Sequence, residues 1–284
     1  MTSATQASRH IPFPNWSSIL LYVLIAAGAI VTVLPLVWML LSSFKTTGEI
    51  LRSPGAWLPT DPSLINFSDL LAKRNFGLYF FNSVLVALVC VLGNLLFCSM
   101  AGYAFAKLDF VGKRFLFFIV LVMLVIPGIA TFIPLFVQVV NMGLANSYAG
   151  MILPFLVTPV GVFLMRQFIA DIPDVLLEAA RIDGAGEWRI FSAILIPLCG
   201  PALATLATLT FLAQWNNFLW PLVIAQSDDK YTLPVALALV SIGANGTNYG
   251  LLLAGSVVII APVLFLFLGL QRYFIQGIAN TGIK

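Results

Sequence analysis

Asp171-Ile-Pro-Asp-Val-Leu-Leu-Glu178-Ala179-Ala180-Arg181-Ile182-Asp183-Gly184-Ala185-Gly186-Glu187-Trp188, running on to Ile194-Leu195-Ile196-Pro197, is a polar, helix-forming segment between two long apolar stretches. Asp171 is suited to an N-cap, with Pro173 in the first turn and Asp174 three residues on. The spacing predicts a helix to about Ile182, with Val175, Leu176, Ala179, Ala180 and Ile182 as its apolar residues. Glu178 and Arg181, three apart, would pair along it. Gly184 and Gly186 would supply positive φ for a reversal. A second helix, roughly 187–195, would end at Pro197. Helix, glycine turn, helix is a fold for a surface outside lipid.

Outward from that segment, nearly everything is apolar. The chain of 284 residues is 61% hydrophobic and 9% charged, with a mean hydropathy of +1.03; soluble domains carry about 25% charge. A span needs about 20 apolar residues. Six stretches qualify, at about 18–42, 80–105, 115–138, 148–168, 201–226 and 251–271. The reading is an all-α, polytopic membrane protein. It has a tail 1–17, a six-helix domain 18–271 carrying the loop 169–200, and a tail 272–284. The first stretch is too long for a signal-peptide core and reads as a retained span. The connector 43–79, with Pro54, Pro59 and Pro62, shows little periodicity.

Six spans put both ends on one side. Nine of the 14 Lys and Arg residues fall there: Arg9, Lys107, Lys113, Arg114, Arg166, Arg181, Arg189, Arg272 and Lys284. The other five are Lys45, Arg52, Lys73, Arg74 and Lys230. The positive-inside bias places both termini, and the loop 169–200, in the cytoplasm of a bacterial inner-membrane protein. The net charge of +3 follows from this pattern and calls for no nucleic acid.

None of the 11 acids lies mid-span, and the single histidine, His10, is in the tail. Proton relays and ion coupling normally need intramembrane ionisable residues, so a proton-coupled carrier is disfavoured. A sodium site built from carbonyls and hydroxyls stays open. One terminal histidine completes no catalytic pair, and there is no zinc motif and no phosphate-binding Gly-x-x-x-x-Gly-Lys-Ser/Thr loop. The chain reads as a non-enzyme that binds no cofactor of its own. Cys90 and Cys98, about 12 Å apart along a helix, are too distant to bridge and, with Cys199, read as packing residues.

The loop itself allows two readings, an interfacial helix flat on the bilayer or a docking element. Two basic residues, Arg181 and Arg189, stand against five acids, so anionic lipid would repel it. Ala179 and Ala180 would let another protein approach closely. Glu178-Ala179-Ala180, three residues, Gly184, nine residues, Ile194, one residue, then Ile196-Pro197 resembles the E-A-A-x3-G-x9-I-x-L-P loop of ABC-importer permeases, with Ile196 for the family's Leu. Gly102-Tyr-Ala-Phe-Ala-Lys107, Met165-Arg166-Gln-Phe168, Ile172-Pro173, Trp215-Asn216-x-Phe218 and Gln271-Arg272-Tyr-Phe-x-x-Gly277 are similar to the carbohydrate branch, the maltose and glycerol-phosphate permeases. The resemblance covers most of the chain from about residue 80, and the first span more loosely.

The resemblance implies a type I ABC importer transmembrane domain. Its partners would be a second, similar permease in a heterodimer, two ATPase subunits holding ATP and Mg2+, an extracytoplasmic solute-binding protein, and membrane lipid. It implies that Glu178, Ala179, Ala180, Asp183, Gly184, Ile194 and Pro197 form a coupling element seated in the ATPase, with Glu178 as polar anchor and Gly184 as turn. The tail near Gly277–Lys284 would also approach the ATPase.

Within the fifth span, Gln214-Trp215-Asn216-Asn217-Phe218-Leu-Trp220-Pro221 offers amides beside indoles. These suit a sugar, whose hydroxyls bond amides and whose C–H faces pack on rings. Interhelical glue and an aromatic belt are the other readings of Trp215, Asn216, Asn217 and Trp220. Pro127-Gly128, Pro134, Pro154 and Pro159-x-Gly161 would kink helices along a path. The expected function is a permease subunit importing a carbohydrate or related polyol by alternating access. The alternatives are a carrier driven by an ion or solute gradient, and a scaffold that transports nothing.

Overall fold

The computed structural model describes residues 16–72, 75–243 and 246–281, with side chains as far as Gly269. Residues 1–15 with His10 and Arg9, Lys73, Arg74, residues 282–284 and the side chains of the Gln271–Gly277 motif lie outside it.

Four helices are each long and apolar enough to cross a bilayer: α1 (Trp16–Ser42), α4 (Phe76–Lys107), α7 (Tyr148–Ala170) and α13, whose apolar part is Tyr249–Gly269. Two bent pairs bring the crossings to six if each pair is one span. The last helix continues to Thr281, beyond the expected boundary at 271. Between these spans lie short helices, α2 (Thr47–Arg52) and α3 (Ile65–Ala72) in the connector expected to be irregular. That connector is stitched by polar groups rather than by apolar periodicity. Buried Asn66 donates to the carbonyls of Ser43 and Lys45 at 2.8 Å. Glu49 accepts from the N–H and hydroxyl of Thr60.

The stretch expected as one span at 115–138 is split. Helix α5 (Lys113–Val125) meets α6 (Gly128–Asn141) at a bend of 107°. Pro127 forces Ile126 out of the helical region, to ψ 120°, and is itself extended at ψ 130°. Pro134 sits inside α6 without ending it. The 201–226 stretch also breaks, into α10 (Gly200–Trp215) and α11 (Leu219–Ile224). The following loop, for which the sequence shows no element, folds into α12 (Leu233–Ser241) and a two-residue antiparallel hairpin, β1 (Ile242–Gly243) on β2 (Gly246–Thr247).

Helix α4 carries a π-turn at Asn94–Cys98, and α7 is interrupted by a 3-10 turn at Leu153–Phe155 before restarting at Pro159. The two interruptions face each other. Asn94 donates to the carbonyls of Cys90 (2.9 Å) and Phe155 (2.7 Å), and accepts from the Thr158 hydroxyl at 2.7 Å. Below this level α4 and α7 pack tightly: a Cβ on Gly102 would lie 2.8 Å from the Arg166 nitrogen and Met165 Cβ. The three cysteines are free and buried.

Candidate coupling site and the broken fifth span

The first helix of the loop after α7 starts later than its sequence suggests. Asp171 ends α7 as its C-cap and does not start the next helix. Helix α8 (Asp174–Ile182) begins directly after Pro173. It ends in a two-bond glycine closure: the N–H of Gly184 donates to Arg181 O (3.0 Å) and that of Ala185 to Ala180 O (2.9 Å). Gly184 has φ +79°, as that closure demands. Gly186 does not share the role; it is extended, at φ −71° and ψ 160°. Helix α9 (Glu187–Leu198) follows, loosened by a π-turn at Ile190–Leu195. Pro197 lies inside it; the chain turns by 80° only at Cys199, into α10.

Helix α8 has two faces. Leu177 and Ala180 are buried with Ile172, Ile190, Phe191 and Leu195 against Tyr103, Met165 and Ile169 of the spans. Glu178, Ala179, Ile182 and Asp183 are exposed, as are Val175, Leu176 and Trp188. So of the two alanines only Ala179 can meet a partner; Ala180 fills this chain's own core. Ile194 is half-buried against that core, and Pro197 is exposed.

Arg181 pairs with Glu187, not with Glu178: its Nε donates to Glu187 Oε1 at 2.8 Å. Glu187 also accepts from the Tyr103 hydroxyl. Arg181 first, then Tyr103, holds the Glu187 carboxyl below its usual range. One helical turn beyond Tyr103, Lys107 donates to Ala170 O (3.3 Å), Ile172 O (2.5 Å) and Asp174 Oδ1 (2.7 Å). Its side chain is only 6% exposed, and it depresses the Asp174 carboxyl. Tyr103 and Lys107 carry the only signal of this in the sequence: an i, i+4 pair at the end of a span, opposite a loop with excess acid.

At the fifth-span break the indoles face inward. Trp215 is 2% exposed and donates from Nε1 to Ile259 O at 2.9 Å. Trp220 is equally buried and donates to Gly150 O at 3.1 Å, with Phe132 and Phe155 edge-on to it. Asn216, exposed, donates back to Leu212 O, and Asn217 accepts from the Trp220 N–H. The structure therefore sets the four side chains around one break but spends both indole N–H groups within the subunit. Among the described residues no group of His, Cys, Asp and Glu could hold a metal.

Comparison with known proteins fits this architecture. Residues 98–280 match the family described as binding-protein-dependent transport system inner membrane component. The chain is 43% identical over 277 residues to the arabinooligosaccharides transport system permease protein AraQ of Halalkalibacterium halodurans, covering 96% of this chain and 98% of that one. It is 35% identical to the diacetylchitobiose uptake system permease protein NgcG of Streptomyces coelicolor, over 92% of this chain and 87% of the relative. Its fold superposes with a TM-score of 0.83, at 25% identity, on a chain from a bacterial ABC transporter involved in the import of the acidic polysaccharide alginate, covering 93% of this chain and 99% of that one. These matches support neither the gradient-driven carrier nor the scaffold. The chain belongs to the family of binding-protein-dependent transport system inner membrane components, as a multi-pass permease subunit of an ABC importer that leaves ATP hydrolysis to separate subunits.

Proposed function

We propose that this subunit imports a carbohydrate, an oligosaccharide or related polyol, and that α8 is the element on which the ATPase pulls. The observation that carries the docking reading is the outer face of α8. Val175, Leu176, Ala179 and Ile182 are exposed beside Glu178 and Asp183 on a helix whose other face is anchored in the core. An apolar patch rimmed by acids, on a helix capped at Gly184, suits a protein cleft better than anionic lipid. The saccharide reading is supported by the named solutes of the relatives above. In this reading a sister permease completes the path and two ATPase subunits bind under it. A solute-binding protein docks outside, and the Lys and Arg bias puts both termini in the cytoplasm. Closure of the ATPases on ATP draws the paired coupling helices together and reopens the spans outward. Asn216 and Asn217 are the candidate solute contacts, since their side chains reach the surface of the break while both indoles do not.

The test is the composition of the complex purified in mild detergent through this chain, expressed with its native neighbours. A second permease plus two ATPase copies is expected, with the ATPase lost on Glu178→Lys. Retention of the full ATPase complement by that variant sinks the docking role. Asn216→Ala and Asn217→Ala should lower uptake of labelled oligosaccharide while the ATPase stays bound; if both are silent, the path does not run by this break.

A further inference from the structure

Span α4 has 32 residues, about 48 Å of helix, against a hydrocarbon core of about 30 Å. The excess lets an end project beyond lipid, and at the C-terminal end Tyr103 and Lys107 hold the two halves of the polar coupling loop. Tyr103 takes Glu187, and through it Arg181 at the far end of α8. Lys107 takes the near end: the terminal carbonyl of α7, the Ile172 carbonyl and Asp174. The cation suits the C-terminal dipole of α7, and the acid, Asp174, suits the N-terminal dipole of α8. The segment above is cut by facing interruptions in α4 and α7, joined by Asn94 and Thr158. The segment below is welded at Gly102.

We infer that Tyr103 and Lys107 are positioning residues that make the coupling loop and the lower halves of α4 and α7 one lever, which yields at the level of Asn94. The inference rests on the docking reading of α8 but concerns what happens after docking. A motion of α8 drags Lys107 and Tyr103, because three carbonyl or carboxylate acceptors and the Glu187 pair hold the span end at both sides of the loop. The π-turn is the place where α4 bends, since its widened backbone ladder is already interrupted there.

The experiment uses the complete complex, spin-labelled on this chain at exposed Ser192→Cys in the loop with either Met100→Cys, below the break, or Leu88→Cys, above it. Distances are measured without nucleotide and after trapping with ATP, Mg2+ and vanadate. The lever requires the Ser192–Met100 distance to stay fixed on trapping while Ser192–Leu88 shifts. In the Tyr103→Phe, Lys107→Met background, with ATPases still bound, the Ser192–Met100 distance should shift or broaden as well. Lys107→Arg should restore it. Equal shifts of both pairs in the unmodified chain overturn the lever and leave docking intact. So does a double variant that behaves as the parent. Should the double variant shed its ATPases, the same distances are read on Tyr103→Phe alone, which keeps the ring; a Ser192–Met100 distance unchanged from the parent in that variant overturns the lever. If neither distance responds to trapping in the parent, α4 moves as one body with the loop, which overturns the yield at Asn94 and leaves docking to be judged by the composition of the complex.

Discussion

Gly184 and Gly186 stand two apart and differ in what they permit. Both have open space where a Cβ would go, but only Gly184 has a left-handed backbone. Gly184→Ala should destabilise the loop by about 1–2 kcal/mol and Gly186→Ala, at the extended N-cap of α9, by less than about 1 kcal/mol, read as thermal unfolding of the purified complex. Equal effects would contradict the closure described. The Arg181–Glu187 pair gives a second expectation. The folded Glu187 carboxyl titrates below its unfolded value, so its contribution is present at neutral pH and is lost as pH falls through the folded pKa. Half exposure limits that contribution to under about 1 kcal/mol. The stability gap between the parent and Glu187→Gln should close as pH falls below the usual carboxylate range and through the lowered folded pKa; a gap that persists once the carboxyl is protonated would assign the effect to packing. Legibility at this scale was uneven. Gly184 was readable because only a left-handed closure explains a glycine after an amphipathic run. The partner of Arg181 is Glu187 rather than Glu178, because spacing on one helix cannot show Glu187 folding back across the turn.

At the scale of elements, apolar length marked the crossings and proline marked where they fail. Pro127 was legible as a kink, but the size of the turn was not, since a proline states only what its predecessor cannot do. The π-turn at Asn94 left no trace in the periodicity of α4. Its cause is tertiary: one amide satisfies Cys90, Phe155 and Thr158 at once. Asn94→Leu keeps the branched shape but strands the partly buried Phe155 carbonyl and Thr158 hydroxyl, at up to about 1–3 kcal/mol for each group. Thermal inactivation in detergent should therefore come several degrees earlier, while Asn94→Asp, which keeps the acceptor but loses the donor, falls no less. Stability of Asn94→Leu equal to the parent would mean that the two interruptions are independent. Helix α12 is illegible in the sequence because a nine-residue apolar run after a charged loop has no length to distinguish it from a strand; burial of Leu233, Ala236 and Leu237, at helical spacing, against α4 and α13 decides it.

For the whole molecule, the apolar window of α1 is entirely exposed within the chain, and the outer face of α8 is bare. Lipid can cover the first; the second is covered in the proposed complex. The corner at Ile126–Pro127 is different in kind. Its two arms, 13 and 14 residues long, are each about 20 Å. Bent by 107°, they reach only about 24 Å from end to end, several ångström short of the roughly 30 Å of hydrocarbon around them. The carbonyls that close α5 and the N–H groups that open α6 meet at that corner, and lipid chains offer neither a partner. A thickness deficit and a row of thirsty backbone groups at one point amount to a dent in the insulator, where water or a neighbouring subunit must replace acyl chains. A membrane-impermeant maleimide should therefore label Ile126→Cys or Ile129→Cys in intact cells or inverted vesicles, and a label-free corner from both sides would mean that protein fills the dent.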